Sequence, residues 1–291
     1  MLIQDQGDVT EAVLKAVGRA PDARHAEVLS ALVRHLHAFV REVSVSEEEL
    51  EFAFDFVNRI GQASNDRHNE AALFSDALGV STLVCLMNNG AGGVTETASA
   101  LLGPFWRLNA PELESGASLL RSETQGTPLL MRGLVRDHAG NPIAGARVDV
   151  WQASPAGLYE NQDEQQADMN LRGVFTADAD GRFHFTSVRP AGYPVPMDGP
   201  TGDMLRAQRR QPLRPAHLHF LVHREGYKTL ITQVFPGDDA HLEDDPVFGV
   251  TPALIGSYRT ENEGAADERC VLDYEFVMQP GEARLPVPPI K

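Results

Sequence analysis

The run His217-Leu218-His219-Phe220-Leu221-Val222-His223 constrains the fold more than any other stretch of this chain. A strand sends alternate side chains to opposite faces. As a strand, the run places His217, His219, Leu221 and His223 on one face and Leu218, Phe220 and Val222 on the other. One face can then enter a core while the other offers two neighbouring imidazoles to a single metal. Pro215 stands just before the strand, where its missing N–H is tolerated. A bare His-x-His fits equally well a half-buried strand whose imidazoles bond to backbone or solvent, so it needs support from elsewhere in the chain.

The sequence around it changes character part-way. Residues 4–90 read as helical. Apolar residues recur at three- and four-residue spacing through Ala26–Leu36. Ser46-Glu47-Glu48-Glu49 is a capping box that opens a segment with Leu50, Ala53, Phe54, Val57 and Ile60 on one face, and Gly61 is its expected stop. A fourth segment runs from Ala71 through Leu86 and ends at Asn88-Asn89-Gly90-Ala91-Gly92-Gly93. These stripes are most simply core; a helix–helix contact between subunits is the sharper reading. His25, His35, His37 and His68 are scattered here and read as surface or capping residues.

Gly103-Pro104 stops helix. Beyond it, β-type alternation takes over, in Met131–Arg136, Ala146–Trp151, Arg182–Val188, the histidine run, Thr229–Phe235 and Cys270–Met278. Turn chemistry separates them, at Asp137–Pro142 and Asp178–Gly181. A short helix is expected within 202–210. The expected fold is α+β: an N-terminal helical domain, residues 1–105, followed by a mainly antiparallel β-sandwich, residues 106–291.

Net charge is −16, so a nucleic-acid partner is not expected. No run is long and apolar enough to embed the chain in a membrane. The first residues lack the basic start and apolar core of a signal peptide. Cys85 and Cys270 are isolated, which suits buried thiols in a reducing cytoplasm better than a disulfide framework.

Two of the five tyrosines follow strands: Tyr159 after Val148–Trp151, and Tyr193 after Phe183–Val188. Loops at one end of a sandwich converge, so both phenols could meet His217 and His219. Alone, each would be an ordinary packed tyrosine with its hydroxyl bonded. Two phenolates and two imidazoles make a hard, anionic site suited to Fe(III). Two isolated cysteines exclude a thiolate zinc site. The metal alternative, two histidines and one carboxylate on Fe(II), usually places Asp or Glu where His219 stands.

Several motifs in this order resemble an intradiol ring-cleavage dioxygenase: Leu102-Gly103-Pro104-Phe105, Gly157-Leu158-Tyr159, Met169-Asn170-Leu171-Arg172-Gly173, Gly192-Tyr193-Pro194 and Arg214–Phe220. The likeness spans nearly the whole chain. Ser75–Val80, Tyr193–Pro200 and Val247–Val250 resemble the hydroxyquinol branch more than the catechol branch.

The resemblance implies one Fe(III) per subunit, held by Tyr159, Tyr193, His217 and His219. It implies that Arg214 lies over the substrate, that Gln233 stands behind the metal site, and that Leu73, Asp76, Phe105, Val195 and Val247 line the pocket with Arg214. Tyr193 would accept a substrate proton. The implied reaction cleaves hydroxyquinol (benzene-1,2,4-triol) with O2 to 3-hydroxy-cis,cis-muconate, the enol form of maleylacetate. Catechol or chlorocatechol cleavage is the alternative within the family. A homodimer through the helical domain, with phospholipid bound there in some members, is also implied.

Bland readings stand beside these. Arg214 could be a structural ion pair, Asp76 a helix N-cap, and Glu243-Asp244-Asp245 a solvated acidic loop. His138, His184, His223 and His241 are not expected as ligands. Gly133–Ala146 also resembles a non-catalytic transthyretin-like β-sandwich binding module, which would leave the tyrosines and the histidine pair unexplained.

Overall fold

Ser46 caps its helix as the capping box requires: the Glu49 N–H donates to Ser46 Oγ at 3.2 Å, and the Ser46 N–H donates to Glu49 Oε2 at 2.8 Å. The computed structural model describes residues 2–65, 68–89 and 97–290. Five helices open the chain: α1 (Gln6–Val17), α2 (Ala23–Glu42), α3 (Glu47–Ala63), α4 (Glu70–Ala77) and α5 (Val80–Asn89). Gly61 does not end α3, which continues to Ala63. The expected fourth segment is two helices, because Gly79 adopts φ +72 and the chain bends by 76°. The expected stop at Gly90–Gly93 lies outside the described residues. No single helix among the described residues is long and apolar enough to cross a membrane.

The strands are β1 (Pro128–Asp137), β2 (Arg147–Trp151), β3 (Arg172–Thr176), β4 (Arg182–Val188), β5 (Tyr193–Pro194), β6 (Leu213–Arg214), β7 (Leu218–His223), β8 (Leu230–Pro236), β9 (Ile255–Gly256), β10 (Tyr258–Glu261) and β11 (Arg269–Met278). A helix, α6 (Pro200–Ala207), sits between β5 and β6. Four strands form one sheet in the order β10-β11-β1-β4, and five form another, β3-β2-β7-β8-β9; β5 and β6 make a two-stranded ladder.

The expectation of mainly antiparallel sheets needs correction, because both larger sheets are mixed. β1 runs parallel to β11 over the whole register from Leu129↔Cys270 to Asp137↔Met278, and β8 runs parallel to β9. Alternation fixes which side chains share a face, but it does not fix the direction of the neighbouring strand. One apolar cluster takes side chains from both sheets: Met131, Phe183, Phe185, Leu272 and Phe276 from the first, and Val148, Val150, Phe175, Leu218, Phe220 and Val222 from the second.

The chain forms two compact units, Met1–Asn58 and Arg59–Lys291, so the last turn of α3 and all of α4 and α5 belong with the strands. The change from helix to strand comes later, between α5 and β1.

Candidate active site

β7 divides its side chains as the alternation requires. Leu218, Phe220 and Val222 enter the core. His219 and Leu221 face the other way, and the register aligns Trp151 of β2, His219 of β7 and Gln233 of β8 in one row across the sheet. Residues 98–100 run along β8, where the Ala100 N–H donates to the Ile231 carbonyl and Thr232 Oγ1 donates to the Ala98 carbonyl, and Leu102, Phe105 and Trp106 then cover this face by packing on Trp151 and Leu221. Gly103, at φ +73, passes so close that a Cβ there would meet the His219 ring at 3.2 Å.

The two tyrosine loops press on each other. Gly157, at φ +78, lies against the Gly192 carbonyl, where a Cβ would stand at 3.2 Å. Tyr193 pairs with Arg214 in the β5·β6 ladder. The four side chains singled out as ligands therefore come together, all of them buried. Their polar atoms close a ring: His217 Nε2 to His219 Nε2 3.1 Å, His219 Nε2 to Tyr159 Oη 3.1 Å, Tyr159 Oη to Tyr193 Oη 3.5 Å, and Tyr193 Oη to His217 Nε2 3.4 Å.

The protonation states suit a metal. The Nδ1 of His217 lies 2.7 Å from the Pro215 carbonyl, which assigns the ring proton to Nδ1 and leaves the Nε2 lone pair to the ring of donors. Burial, aided by the Arg214 charge, pushes His217 down to about 3. Burial and its neighbour His217 push His219 well below the ordinary histidine range. Both imidazoles are thus neutral at neutral pH. The His219 ring stacks on Trp151, with centroids 4.6 Å apart and planes 10° apart. Its Nδ1 is buried without a hydrogen-bond partner among the protein atoms, so on that side the ring is held by packing alone.

Burial raises Tyr159 well above the usual phenol range, and neighbouring Tyr193 adds to this. A cation between the donors would reverse that balance. Neighbouring donors stand 3.1–3.5 Å apart around the ring, close enough to share one small cation. Among the described residues, no group of three or more His, Cys, Asp or Glu could hold a metal. The carboxylate-based alternative therefore finds no third ligand, while the two-tyrosine, two-histidine set fits a hard trivalent ion.

Arg214 is buried beside this ring. Its Nε donates to Asp245 Oδ1 at 3.1 Å and its Nη2 to Gln233 Oε1 at 3.1 Å, while Nη1 lies 3.3 Å from His217 Nε2. Burial works against the guanidinium charge, but facing Asp245 outweighs it and raises the Arg214 pKa. Asp245 is held low by the same pairing against its own burial, and it accepts the Gly249 N–H at 2.9 Å. The reading of Glu243-Asp244-Asp245 as a solvated loop is therefore wrong for Asp245, which is 4% exposed. An acidic run looks solvated in sequence; only the fold shows that its last member turns inward to a buried cation. Arg214 makes the ion pair of its bland reading and also reaches the ring of donors at His217. Gln233 completes the bridge by donating from Nε2 to the Leu101 carbonyl at 2.7 Å.

A pocket opens beside Tyr193. It is lined by all six residues expected to meet substrate: Leu73, Asp76, Phe105, Val195, Arg214 and Val247. Phe105 stacks on Tyr159 at 4.4 Å. Asp76 is not an N-cap of α4; Asn69 has that role, and Asp76 lies in the last turn. A carboxylate at a helix C-terminus is disfavoured by the dipole. Burial raises its pKa, with Ser81 and Arg214 opposing. A carboxylate kept in so unfavourable a place points to a role in the pocket. His68 also lines the pocket, against its reading as a surface or capping residue, and its Nε2 lies 2.6 Å from buried Glu70. Sequence reading missed Trp151 and Asp245; the row across β2, β7 and β8 could have flagged Trp151 once the strands were paired.

Known proteins place the chain in a family. The chain matches the family model described as Dioxygenase over residues 101–280, and that described as Catechol dioxygenase N terminus over residues 22–93. It is 40% identical over 277 residues to the 6-chlorohydroxyquinol 1,2-dioxygenase of Cupriavidus pinatubonensis, covering 95% of this chain and 98% of that one. It is 42% identical over 261 residues to the hydroxyquinol 1,2-dioxygenase of a Rhizobium species, covering 89% and 88%. The crystal structure of hydroxyquinol 1,2-dioxygenase from Pseudomonas putida DLL-E4 superposes with a TM-score of 0.88 at 35% identity, covering 95% of this chain and 99% of that one. The chain belongs to the intradiol ring-cleavage dioxygenases. That family is in general dependent on non-haem iron.

Proposed function

We propose that this protein cleaves hydroxyquinol with O2 between its 1,2-diol carbons, giving 3-hydroxy-cis,cis-muconate, which ketonises to maleylacetate. The observation that carries this reading is the ring of Tyr159, Tyr193, His217 and His219 beside a pocket whose wall includes Asp76. Those four residues would hold one Fe(III) per subunit. The chemistry that Fe(III) supplies when bound is chelation of the diol and activation of its ring carbon towards O2.

The protein side chains divide the remaining work. Tyr193, a phenolate when the cation is bound, would accept one substrate proton at its oxygen and become the neutral phenol. Arg214 stays charged because Asp245 faces it, and it stabilises negative charge on a substrate oxygen as the ring ketonises. Gln233 fixes the guanidinium from behind. Phe105, Leu73, Val195 and Val247 hold the ring by apolar contact and exclude water. Asp76 accepts the hydrogen bond of the third ring hydroxyl, and a site built to bond a hydroxyl rejects an analogue without it.

In the same reading, residues 106–291 carry the catalytic site as a β-sandwich, which the core shared by both sheets supports. Within residues 1–105 the first helices serve dimerisation, while Leu73, Asp76 and Phe105 complete the wall of the pocket. Val28, Leu32, Leu36 and Phe39 form an exposed apolar stripe on α2, continued by Val43 just past its end, which supports a homodimer or a bound phospholipid there. The two free cysteines suit a cytoplasmic location.

Oxygen uptake by the iron-loaded protein, with hydroxyquinol and with catechol, tests the reaction after correction for autoxidation. A strong preference for hydroxyquinol with maleylacetate as product is expected. Preference for catechol or chlorocatechol would overturn the pocket reading and keep the iron site. A colourless iron-treated protein without uptake would leave a binding module. Asp76→Ala should lower kcat/KM for hydroxyquinol relative to catechol by about tenfold or more; an unchanged ratio would remove Asp76 from the specificity account.

A further inference from the structure

Arg172 opens β3 directly opposite Trp151. It therefore extends the row that contains Trp151, His219 and Gln233, on the same face of the sheet. It is 1% exposed, and none of the roles above uses its charge.

Its fork joins two separate chain segments. Nε donates to Glu160 Oε2 at 2.7 Å and Nη2 to Asn161 Oδ1 at 3.3 Å, which grips the single helical turn that follows Tyr159. Nη1 donates to the Phe105 carbonyl at 2.6 Å, which grips the segment laid over the sheet. Arg107 holds the other Glu160 oxygen at 2.7 Å. Between the two gripped segments, Phe105 stacks on Tyr159, and the guanidinium carbon lies 5.8 Å from the Tyr159 ring centroid.

We infer that Arg172 is a positioning residue that locks Tyr159 and Phe105 into one unit, so that the metal ring and the pocket wall keep a fixed relation. The inference rests on the reading of Tyr159 as an iron ligand. A buried ion pair between Arg172 and Glu160 could hold the fold without this effect, and the test separates the two. Lysine keeps the charge but cannot reproduce a planar fork with three acceptors in three directions.

The test compares iron-loaded wild type with Arg172→Lys. Three quantities are read: the visible tyrosinate-to-iron absorption, iron loss to a chelator, and kcat and KM for hydroxyquinol. Expected for the variant are a displaced or weakened band, about tenfold faster iron loss, and a KM raised about tenfold through the displaced Phe105 wall. A variant with the wild-type band and wild-type iron retention overturns the inference while leaving the iron reading intact. A wild type without the band overturns both. Should the lysine variant fail to fold, the double variant Arg172→Met with Glu160→Gln removes both buried charges. A wild-type band and iron retention there would show that Arg172 only neutralises Glu160, which also overturns the inference.

Discussion

Two ion pairs of similar residues stand in different surroundings: one lies on the outward face of the four-stranded sheet, and the other lies beside the histidine face of the five-stranded sheet, where β6 and a loop supply its partners. On the four-stranded sheet, Arg132 Nε meets Asp273 Oδ1 at 2.6 Å, with side chains 44% and 49% exposed. On the five-stranded side, Arg214 meets Asp245 at 3.1 Å, with side chains 5% and 2% exposed. Water screens the first pair, so its loss matters little. The second pair sits away from water, where removing one partner strands the other charge. An ion pair's consequence is thus set by what covers it. Leu102, Phe105 and Trp106, packed on the five-stranded sheet, take ordinary side chains out of water.

The largest effect should come from the metal ring itself. Tyr159→Phe removes a donor from the covered face; iron analysis and the visible spectrum should show lost iron or lost colour, with activity abolished. Unaltered iron and colour would take Tyr159 out of the ligand set. Asp245→Ala comes next. It leaves Arg214 buried and unpaired, and should cost about 3–5 kcal/mol in denaturant unfolding together with a fall in kcat. Unchanged stability would mean that the two faces do not differ as described.

Asp149 sharpens the contrast, because it lies on the same face as His219 and accepts a bond from Trp106 Nε1 at 3.0 Å. Burial pushes its carboxyl up to about 6, although Trp106 and two arginines oppose the shift. A raised carboxyl pKa destabilises the folded state wherever the group ionises. The cost is absent below about pH 4, grows between about 4 and 6, and is complete above that. Asp149→Asn keeps an acceptor for Trp106 and should add about 1–2 kcal/mol at pH 7.5 but nothing at pH 4, a value reduced for partial exposure. Thermal melts at the two pH values check the sign. The smallest effect belongs to Asp273→Ala, expected within about 0.5 kcal/mol of wild type and with unaltered kcat/KM.

The sequence was most informative where a pattern is local. The alternation around His219 placed Leu218, Phe220 and Val222 in the core, and Ser46 with Glu49 marked a helix start. The motifs around Tyr159 and Tyr193 named the donors that the fold brings together. Strand direction was not legible, since β1 reads the same whether β11 runs with it or against it. Nor was the fate of Asp245, because its partner lies 31 residues away and only tertiary structure joins them. Gly61 fitted a stop signal and yet lies inside α3, where the helix's packing overrides a weak propensity.

The parallel pairing of β1 with β11 has a consequence for synthesis. β1 is the first strand made and β11 the last, with most of the second unit between them. Until the ribosome finishes β11, β1 lacks its neighbour on that edge, and Leu129, Met131 and Val135 lack part of their cover. The five-stranded sheet shares that core, so His219 and its neighbours in the ring of donors cannot settle early. The closing contact of this fold is thus a distant one, and a topology of that kind folds slowly and leaves its nascent chain exposed for longer.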